Sequence, residues 1–234
     1  MFQLDVEACR KMGVMSDDIK ERLRPEFAAE MVDEVKLVVF TQEIECDLCR
    51  NTREIVEELT TISEKIKVEV YDLVKDVEKV KEYSIDRIPA IAVVGKKDYG
   101  IRYYGIPSGY EFSSLVQVII TVSKGVTGIL EESRAKLKTV NKPIRIKIFV
   151  TPTCPYCPKM VKFAYQFAME NELIKTDVLE AAEYPELVQK YSIMATPKIV
   201  INETLEIIGV TSEEYFVDQV IRAQYPPPTE TLYA

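Results

Sequence analysis

Short apolar runs alternate with amphipathic segments along the chain, and this alternation predicts an α/β fold. Residues 35–40 and 144–150 are rich in Val, Ile and Phe, as is typical of buried β-strands. A helical pattern follows each run; after the second, Met160, Phe163 and Phe167 recur at three- and four-residue spacing. Shorter apolar runs and a closing helical pattern come next. After each of the two long apolar runs, this order of elements predicts a central mixed β-sheet flanked by helices.

The same pattern occurs twice, in one register. Cys46 and Cys154 are separated by 108 residues, and so are Pro89 and Pro197. The tripeptide Tyr-Ser-Ile precedes both prolines at the same distance, and the apolar runs before the two cysteines also match. Self-similarity at a fixed period is the signature of repeated structural units. We therefore predict two homologous halves.

The boundary between the halves is predicted near the segment SKGVTG, where Gly125 and Gly128 interrupt the pattern. The N-terminal unit would cover 1–124 and carry the motif Cys-Asp-Leu-Cys. The C-terminal unit would cover 125–234 and carry Cys-Pro-Tyr-Cys. It ends in the segment YPPPTETLYA, whose consecutive prolines predict an extended or disordered tail.

Each half contains one pair of cysteines in a C-x-x-C motif between a predicted strand and a predicted helix. Thiolates are the reactive form of cysteine, and a helix N-terminus stabilises an anion through its free N–H groups and its dipole. Pro155 and Pro158 are expected in the first turn of the helix, where a missing N–H breaks no hydrogen bond. This arrangement would leave Cys154 at the exposed end, with Cys157 one turn on and more buried. The motif therefore predicts two thiols that can be joined and parted reversibly.

Composition excludes several classes of function. The chain has no histidine, which removes Ser-His and Cys-His catalysis and histidine metal ligands. Its eight glycines form no dinucleotide or phosphate loop, so redox electrons are expected from another protein or a small thiol. A net charge of -8 without a basic stripe argues against nucleic acid. No membrane span or secretory signal is visible, which predicts a soluble, cytoplasmic protein.

The segment TPTCPYC matches the glutaredoxin-type active site, and the chain resembles the thioredoxin/glutaredoxin superfamily over nearly its whole length except the tail. The doubled architecture is similar to that of the two-unit protein disulfide oxidoreductases, or glutaredoxin-like proteins, of hyperthermophiles. The resemblance implies two tandem thioredoxin-fold units. It also implies that Cys46 and Cys154 are nucleophiles, and that Cys49 and Cys157 are resolving thiols.

The resemblance assigns a second role, in substrate binding, to the two proline segments. Pro89 and Pro197 would match the cis-proline of the family, which faces the cysteines across a loop. Ile88 and Thr196, directly before them, would offer backbone groups to a bound polypeptide as an added strand.

The sequence departs from the family pattern at three places. Glutaredoxins carry Gly-Gly and an acid after the last strand, but this chain reads YGIPSGYEF and IGVTSEEYF, so no dedicated glutathione site is expected. Thioredoxins carry a buried aspartate in the strand before the cysteines. The segments KLVVF and IKIFV contain no carboxylate, so that proton acceptor is missing or supplied elsewhere. The loop CDLC is also uncommon in the superfamily, which allows the first half to differ in activity.

Other uses of the cysteines stay open at this point. Four thiolates suit zinc or an iron–sulfur cluster, although zinc ribbons space their pairs closely and these pairs lie a whole domain apart. Static disulfides in such short loops would stabilise little. The fifth cysteine, Cys9, is interpreted as a small apolar residue of a short helix, with intermolecular pairing as the alternative.

The sequence thus predicts a dithiol–disulfide oxidoreductase that reduces, forms or isomerises disulfides in protein substrates. Its redox groups would be the disulfides Cys46–Cys49 and Cys154–Cys157, with no other cofactor and no metal. The expected electron donor is a thioredoxin-reductase-like flavoprotein, and neither nucleic acid nor membrane is expected as a partner. The charged fraction of 29% suits a thermophile, and intracellular disulfides, rare in mesophiles, are common in hyperthermophiles. The alternative is a metal-binding module or a redox-inactive chaperone that uses the pairs structurally.

Overall fold

The computed structural model describes residues 15–225, which form two compact units. The first unit runs to Asp98 and adds 102–108 and 115–126. The second takes 99–101, 109–114 and the residues from Thr127 onward. Cys9 and the proline-rich tail lie outside the described residues.

The elements occur in the order that the apolar pattern predicts. In the first half they are α1 (Asp17–Glu30), β1 (Val35–Thr41), α2 (Cys49–Leu59), β2 (Ile66–Asp72), α3 (Val77–Tyr83), β3 (Ala90–Val94), β4 (Asp98–Tyr104) and α4 (Tyr110–Lys124). In the second half they are α5 (Glu131–Leu137), β5 (Ile144–Val150), α6 (Cys157–Glu170), β6 (Ile174–Glu180), α7 (Pro185–Lys190), β7 (Lys198–Ile201), β8 (Leu205–Ile208) and α8 (Glu213–Arg222).

Both halves build the same mixed sheet, as predicted. The strand order is β2-β1-β3-β4 in the first half and β6-β5-β7-β8 in the second. Strand β1 pairs parallel with β2 and antiparallel with β3, and β5 pairs in the same way with β6 and β7. The central strands β1 and β5 are therefore paired on both edges, and most of their side chains are buried, which explains their near-continuous apolar sequence.

The amphipathic helix after each central strand packs its apolar face into the core. In α6, Met160 and Phe167 are fully buried, and Phe167 makes an edge contact with Phe216 of α8 at 5.1 Å between ring centroids. Phe163 lies at the border of this face and stacks on Phe167. The helical spacing that was read from the sequence therefore corresponds to the buried face. This packing fixes the first turn of α6 against the end of β5.

The helices of residues 15–225 include none that is both long enough and apolar enough to cross a lipid bilayer.

Candidate active sites at the two cysteine pairs

Both C-x-x-C motifs are closed as disulfides, Cys46–Cys49 with 5.4 Å and Cys154–Cys157 with 5.6 Å between Cα atoms. Each pair lies directly after the central strand of its sheet and at the start of the following helix. The helices begin at the second cysteine of each pair, Cys49 and Cys157, and not at the first. A pair of thiols at this junction can open and close without a large movement of the backbone.

The position of Pro155 corrects the sequence-based expectation of two prolines in one helical turn. Only Pro158 lies in the first turn of α6, while Pro155 lies in the preceding turn. A further turn precedes it at 152–153 and is closed by a hydrogen bond from the Cys154 amide to the Thr151 carbonyl at 3.1 Å. The helix cannot start earlier because the chain must first turn away from β5.

The two cysteines of each pair differ in burial. Cys49 and Cys157 are 1% and 0% exposed, as expected for residues one turn into the structure. Cys154, expected at an exposed end, is only 7% exposed. The cause is the loop before Pro197, whose Thr196 carbonyl oxygen lies 3.5 Å from the Cys154 Sγ. In the dithiol form, the Cys154 thiol can donate a hydrogen bond to this carbonyl.

Each of the two proline loops contains one cis peptide bond. The Ile88–Pro89 and Thr196–Pro197 peptide bonds are both cis. The proline carbonyls accept hydrogen bonds from the glycine after the last strand, Pro89 from Gly105 at 2.9 Å and Pro197 from Gly209 at 2.8 Å. In the second site the side chain of Thr196 also forms a hydrogen bond with Thr151. The loop is thereby held beside the cysteine pair.

The charges around the two pairs differ. Three acids, Glu43, Glu45 and Asp47, are exposed around Cys46, whereas the turn between Thr151 and Pro158 contains no acid. The arginines that follow in α2 are held by carboxylates of their own helix, in the pairs Arg50–Glu54 at 2.8 Å and Arg53–Glu57 at 2.7 Å. Their positive charge is therefore partly cancelled near Cys46.

The second site also has an apolar and a positive component. Tyr156, between the two cysteines, is 64% exposed, and Met194, in the loop before Pro197, is 93% exposed. Lys159, in the first turn of α6, lies 5.8 Å from the ring centroid of Phe163. Exposed large apolar groups beside a reactive cysteine are a typical feature of a binding surface.

One buried acid beside the second site was not found by reasoning from the sequence. Glu111 is 2% exposed, and neither of its side-chain oxygens has a hydrogen-bond partner. Its segment lies against the turn that leads to Cys154, because the Tyr110 amide donates to the Pro152 carbonyl at 2.9 Å. Gly109 makes this approach possible: its φ is +57°, and a Cβ there would lie 2.3 Å from the Pro152 oxygen.

Burial raises the pKa of Glu111 to about 8, and the charge of Glu180 adds to this effect. Glu180 ends β6 directly opposite Val150 of β5, so it lies at the same edge of the sheet as the disulfide. Burial also raises the pKa of Glu180, although hydrogen bonds from the Ala182 and Glu183 amides oppose this shift. At neutral pH the Glu111 carboxyl group is therefore mostly protonated.

The sequence offered one signal for Glu111, an acid inside an otherwise apolar helix start, GYEF. When the segments after Gly105 and Gly209 are aligned, the matching place in the second half holds Tyr215, which is half exposed. The buried acid is therefore a feature of one site and has no counterpart in the other.

Within residues 15–225, no group of three or more cysteine, aspartate or glutamate side chains is arranged to hold a metal ion.

Comparison with known proteins places these features in context. A family model described as a thioredoxin domain matches residues 144–222. The crystal structure of a protein disulfide oxidoreductase from Aeropyrum pernix has a TM-score of 0.84 and 34% sequence identity, covering 89% of this chain and 93% of that one. A thioredoxin of Methanocaldococcus jannaschii is 32% identical over 78 residues, which are 33% of this chain and 92% of that protein.

The chain is also similar to one region of a much longer protein. An NADH dehydrogenase of Bacillus subtilis is 27% identical over 158 residues, which are 68% of this chain. The chain spans 29% of the length of that protein.

Proposed function

Because the chain belongs to the thioredoxin/glutaredoxin superfamily, we propose that it is a protein dithiol–disulfide oxidoreductase with two active sites. It would reduce, form or isomerise disulfides in protein substrates. The observation that carries this proposal is the pair of short-loop disulfides, each between a central strand and the helix that follows it, the second of them beside the proline loop. Such disulfides contribute little to stability, so their position points to chemistry.

The proposed reaction is thiol–disulfide exchange. In the reducing direction, the Cys46 or Cys154 thiolate attacks a substrate disulfide, forms a mixed disulfide and releases one substrate thiolate, which takes up a proton. The thiolate of Cys49 or Cys157 then attacks the mixed disulfide and releases the second substrate thiol. The protein is left oxidised by two electrons. Oxidation of a substrate dithiol is the reverse sequence.

The resolving cysteine must lose its proton before it attacks, and in the second site it is fully buried. Glu111 is the proposed acceptor. It is the one carboxyl group of the described residues that is both buried and without a hydrogen-bond partner. A pKa of about 8 is close to that of a thiol, so the ionised form of Glu111, which grows as the pH rises toward 8, can take up the thiol proton with little loss of free energy. The strand before the cysteines contains no carboxylate that could accept this proton. Glu111, at the start of α4, would take that role.

Substrates would bind as extended segments along the proline loops. The backbone of Ile88 in the first site and of Thr196 in the second would pair with the substrate as an added strand. Exposed Tyr156 and Met194 would contact its side chains in the second site.

In the reducing direction, repeated turnover requires an external electron donor, because each cycle transfers two electrons to the substrate. The donor is proposed to be a thioredoxin-reductase-like flavoprotein, and the similarity to a region of an NADH dehydrogenase supports a link to pyridine nucleotides. The cytoplasm of a thermophile is the proposed setting, since intracellular disulfides are common in hyperthermophiles.

The direct test is reduction of insulin disulfides with dithiothreitol as the donor, combined with thiol titration and metal analysis. We expect faster insulin precipitation than with dithiothreitol alone and four thiols that oxidise reversibly. A matched control is Cys9→Ser, which removes a cysteine outside the pairs and should leave the rate unchanged. Stoichiometric zinc or iron and an uncatalysed rate would instead favour the metal-binding alternative.

The two sites are expected to differ in reduction potential. Exposed acids around Cys46 destabilise its thiolate, and the arginines of α2 are held by their own carboxylates. Near Cys154, Lys159 favours the thiolate and Glu111 is mostly neutral at pH 7. A stabilised thiolate favours the dithiol, so the Cys154–Cys157 pair should have the higher potential, by tens of millivolts.

Redox titration of the variants Cys46→Ser/Cys49→Ser and Cys154→Ser/Cys157→Ser measures each potential separately. The further variant Asp47→Asn should raise the potential of the first site because it removes the nearest negative charge. If the first site has the higher reduction potential, or if Asp47→Asn does not change its potential, the exposed acids do not set the difference between the two sites.

A further inference from the structure

Each half buries one cation beneath the loop that leads to its proline. The loops, 84–88 and 192–196, begin where helices α3 and α7 end. In both, the serine after the tyrosine has a left-handed backbone, with φ of 55° at Ser84 and 49° at Ser192. The amide after each serine bonds back to the helix, Ile85 to Val80 and Ile193 to Val188, both at 2.9 Å. These bonds leave the carbonyl group of the preceding tyrosine without a helical partner.

In the first half this carbonyl group is satisfied by a buried arginine. The Nε of Arg102 donates to the Tyr83 carbonyl oxygen at 3.0 Å, and the side chain of Arg102 is only 5% exposed. Two parallel bonds of 2.8 and 2.6 Å join the same guanidinium to the carboxylate of Asp98. Arg102 thus holds the start of the loop against β4.

In the second half a lysine makes the corresponding contact. The Nζ of Lys198 donates to the Tyr191 carbonyl oxygen at 2.5 Å and lies 3.5 Å from that of Ser192. The lysine side chain is 5% exposed and pairs with Glu206 at 2.9 Å. Lys198 directly follows Pro197, so it joins the two ends of the loop.

The two cations come from different strands. Lys198 of β7 corresponds to Ala90 of β3 in the 108-residue register. Arg102 lies three residues before Gly105, and the same place before Gly209 is held by Glu206. One half therefore has alanine and arginine where the other has lysine and glutamate. Two independent arrangements bring a buried cation to the same carbonyl group.

The satisfied carbonyl group fixes the start of the loop, and the bond from Gly209 to Pro197 fixes its end. Between them lies Thr196, whose carbonyl oxygen faces the Cys154 sulfur at 3.5 Å. A buried cation costs free energy unless its partners are present, and here those partners are the tyrosine carbonyl group and a carboxylate in both halves.

We propose that Lys198 and Arg102 are positioning residues of the two exchange sites. Each holds the proline loop in the position at which its backbone receives a substrate polypeptide. The proposal rests on the function proposed above, and it names the residues that give the docking strand its place. It concerns the binding of polypeptides and not the reactivity of the sulfur atoms.

The test uses the variant Cys46→Ser/Cys49→Ser, in which only the second site exchanges disulfides. Lys198→Ala in this background should raise the KM for insulin about tenfold, because a displaced loop loses aligned backbone contacts. The rate with hydroxyethyl disulfide, which is too small to span the loop, should change less than twofold. Adding Glu206→Arg places a guanidinium at the position that corresponds to Arg102, although Asn202 stands where the first half has Asp98, and should restore the KM to within about threefold. The control is Lys147→Ala, which removes a contact to the hydroxyl group of the same Tyr191 and should leave the KM unchanged.

Equal losses with both disulfides, an unchanged KM, or no recovery in the double variant would overturn the proposal. Amide hydrogen exchange of 192–196 provides a readout that does not depend on activity. Protection should fall in Lys198→Ala and return with Glu206→Arg, even if the protein exchanges neither disulfide and the proposed function fails. If Lys198→Ala does not fold, the same test can be made in the first half with Arg102→Ala, alone and combined with Ala90→Lys. Unchanged protection of the amides of 84–88 in Arg102→Ala would contradict the proposal.

Discussion

Serine at both Cys46 and Cys154 is expected to reduce insulin reduction to the rate of dithiothreitol alone, a loss of roughly a thousandfold or more in catalysed rate. The serine hydroxyl group does not ionise near neutral pH and cannot replace the thiolate as a nucleophile. Either single variant should retain the activity of its intact site. The measurement is the initial rate of insulin precipitation at equal protein concentration.

The partner cysteines provide the matched control. With Cys49→Ser and Cys157→Ser together, the first attack still occurs but the mixed disulfide is not resolved. Covalent adducts with insulin should therefore accumulate and disappear on reduction, visible on non-reducing gels. Adducts in the Cys46→Ser/Cys154→Ser variant, or substantial catalysis by it, would show that the assigned nucleophiles are wrong.

Glutamine at Glu111 is expected to remove most of a pH dependence of stability. The pKa of Glu111 is about 8 in the folded protein and 4.5 as an unperturbed group. Because the folded value is the higher, the protonated acid favours folding: its contribution is complete below about pH 4.5 and is lost as the pH rises through 8. The difference corresponds to at most about 5 kcal/mol above pH 8, at 1.36 kcal/mol for each pH unit.

Guanidinium unfolding at pH 5, 7 and 9 measures this effect. The free energy of unfolding of the wild-type protein should fall across the series, and Glu111→Gln should be the more stable variant at pH 9. Glu45→Gln, at an exposed position, is the control and should follow the wild type. Parallel curves for Glu111→Gln and the wild type would show that the carboxyl group is not buried in its neutral form. If Glu111 also accepts the proton of Cys157, the stabilised variant should exchange disulfides more slowly at its second site.

The helices and strands could be predicted from the sequence because their signals are local or occur twice. The apolar runs of β1 and β5, the helical spacing in α6 and the mixed sheet were all predicted correctly. The repeat distinguished Pro89 and Pro197 from ordinary turn prolines, because they share one register with the cysteines. A single copy of either proline would have carried much less information.

What the sequence did not carry depends on contacts between distant residues. Glu111 is buried because its segment packs on Pro152, and no local pattern indicates that approach. Cys154 is covered by the carbonyl group of Thr196, which comes from another loop. Lys198 carries no distinguishing signal in the sequence, but its place on β7 directs it to the end of α7. In each case tertiary packing sets the burial, and the residue type alone gives no sign of it.

The exchanged positions of the buried cations also bear on how a duplicated gene can evolve. Recombination between the two repeats would join their coding segments at an equivalent place. A crossover between β3 and β4 would combine Ala90 with Glu206, leaving the carbonyl group without a cation, or Lys198 with Arg102, placing two cations around it. Both hybrids would be selected against, whereas crossovers outside this stretch keep each arrangement together. The stretch should therefore resist gene conversion, and the two repeats should diverge there while the cysteine and proline segments stay alike.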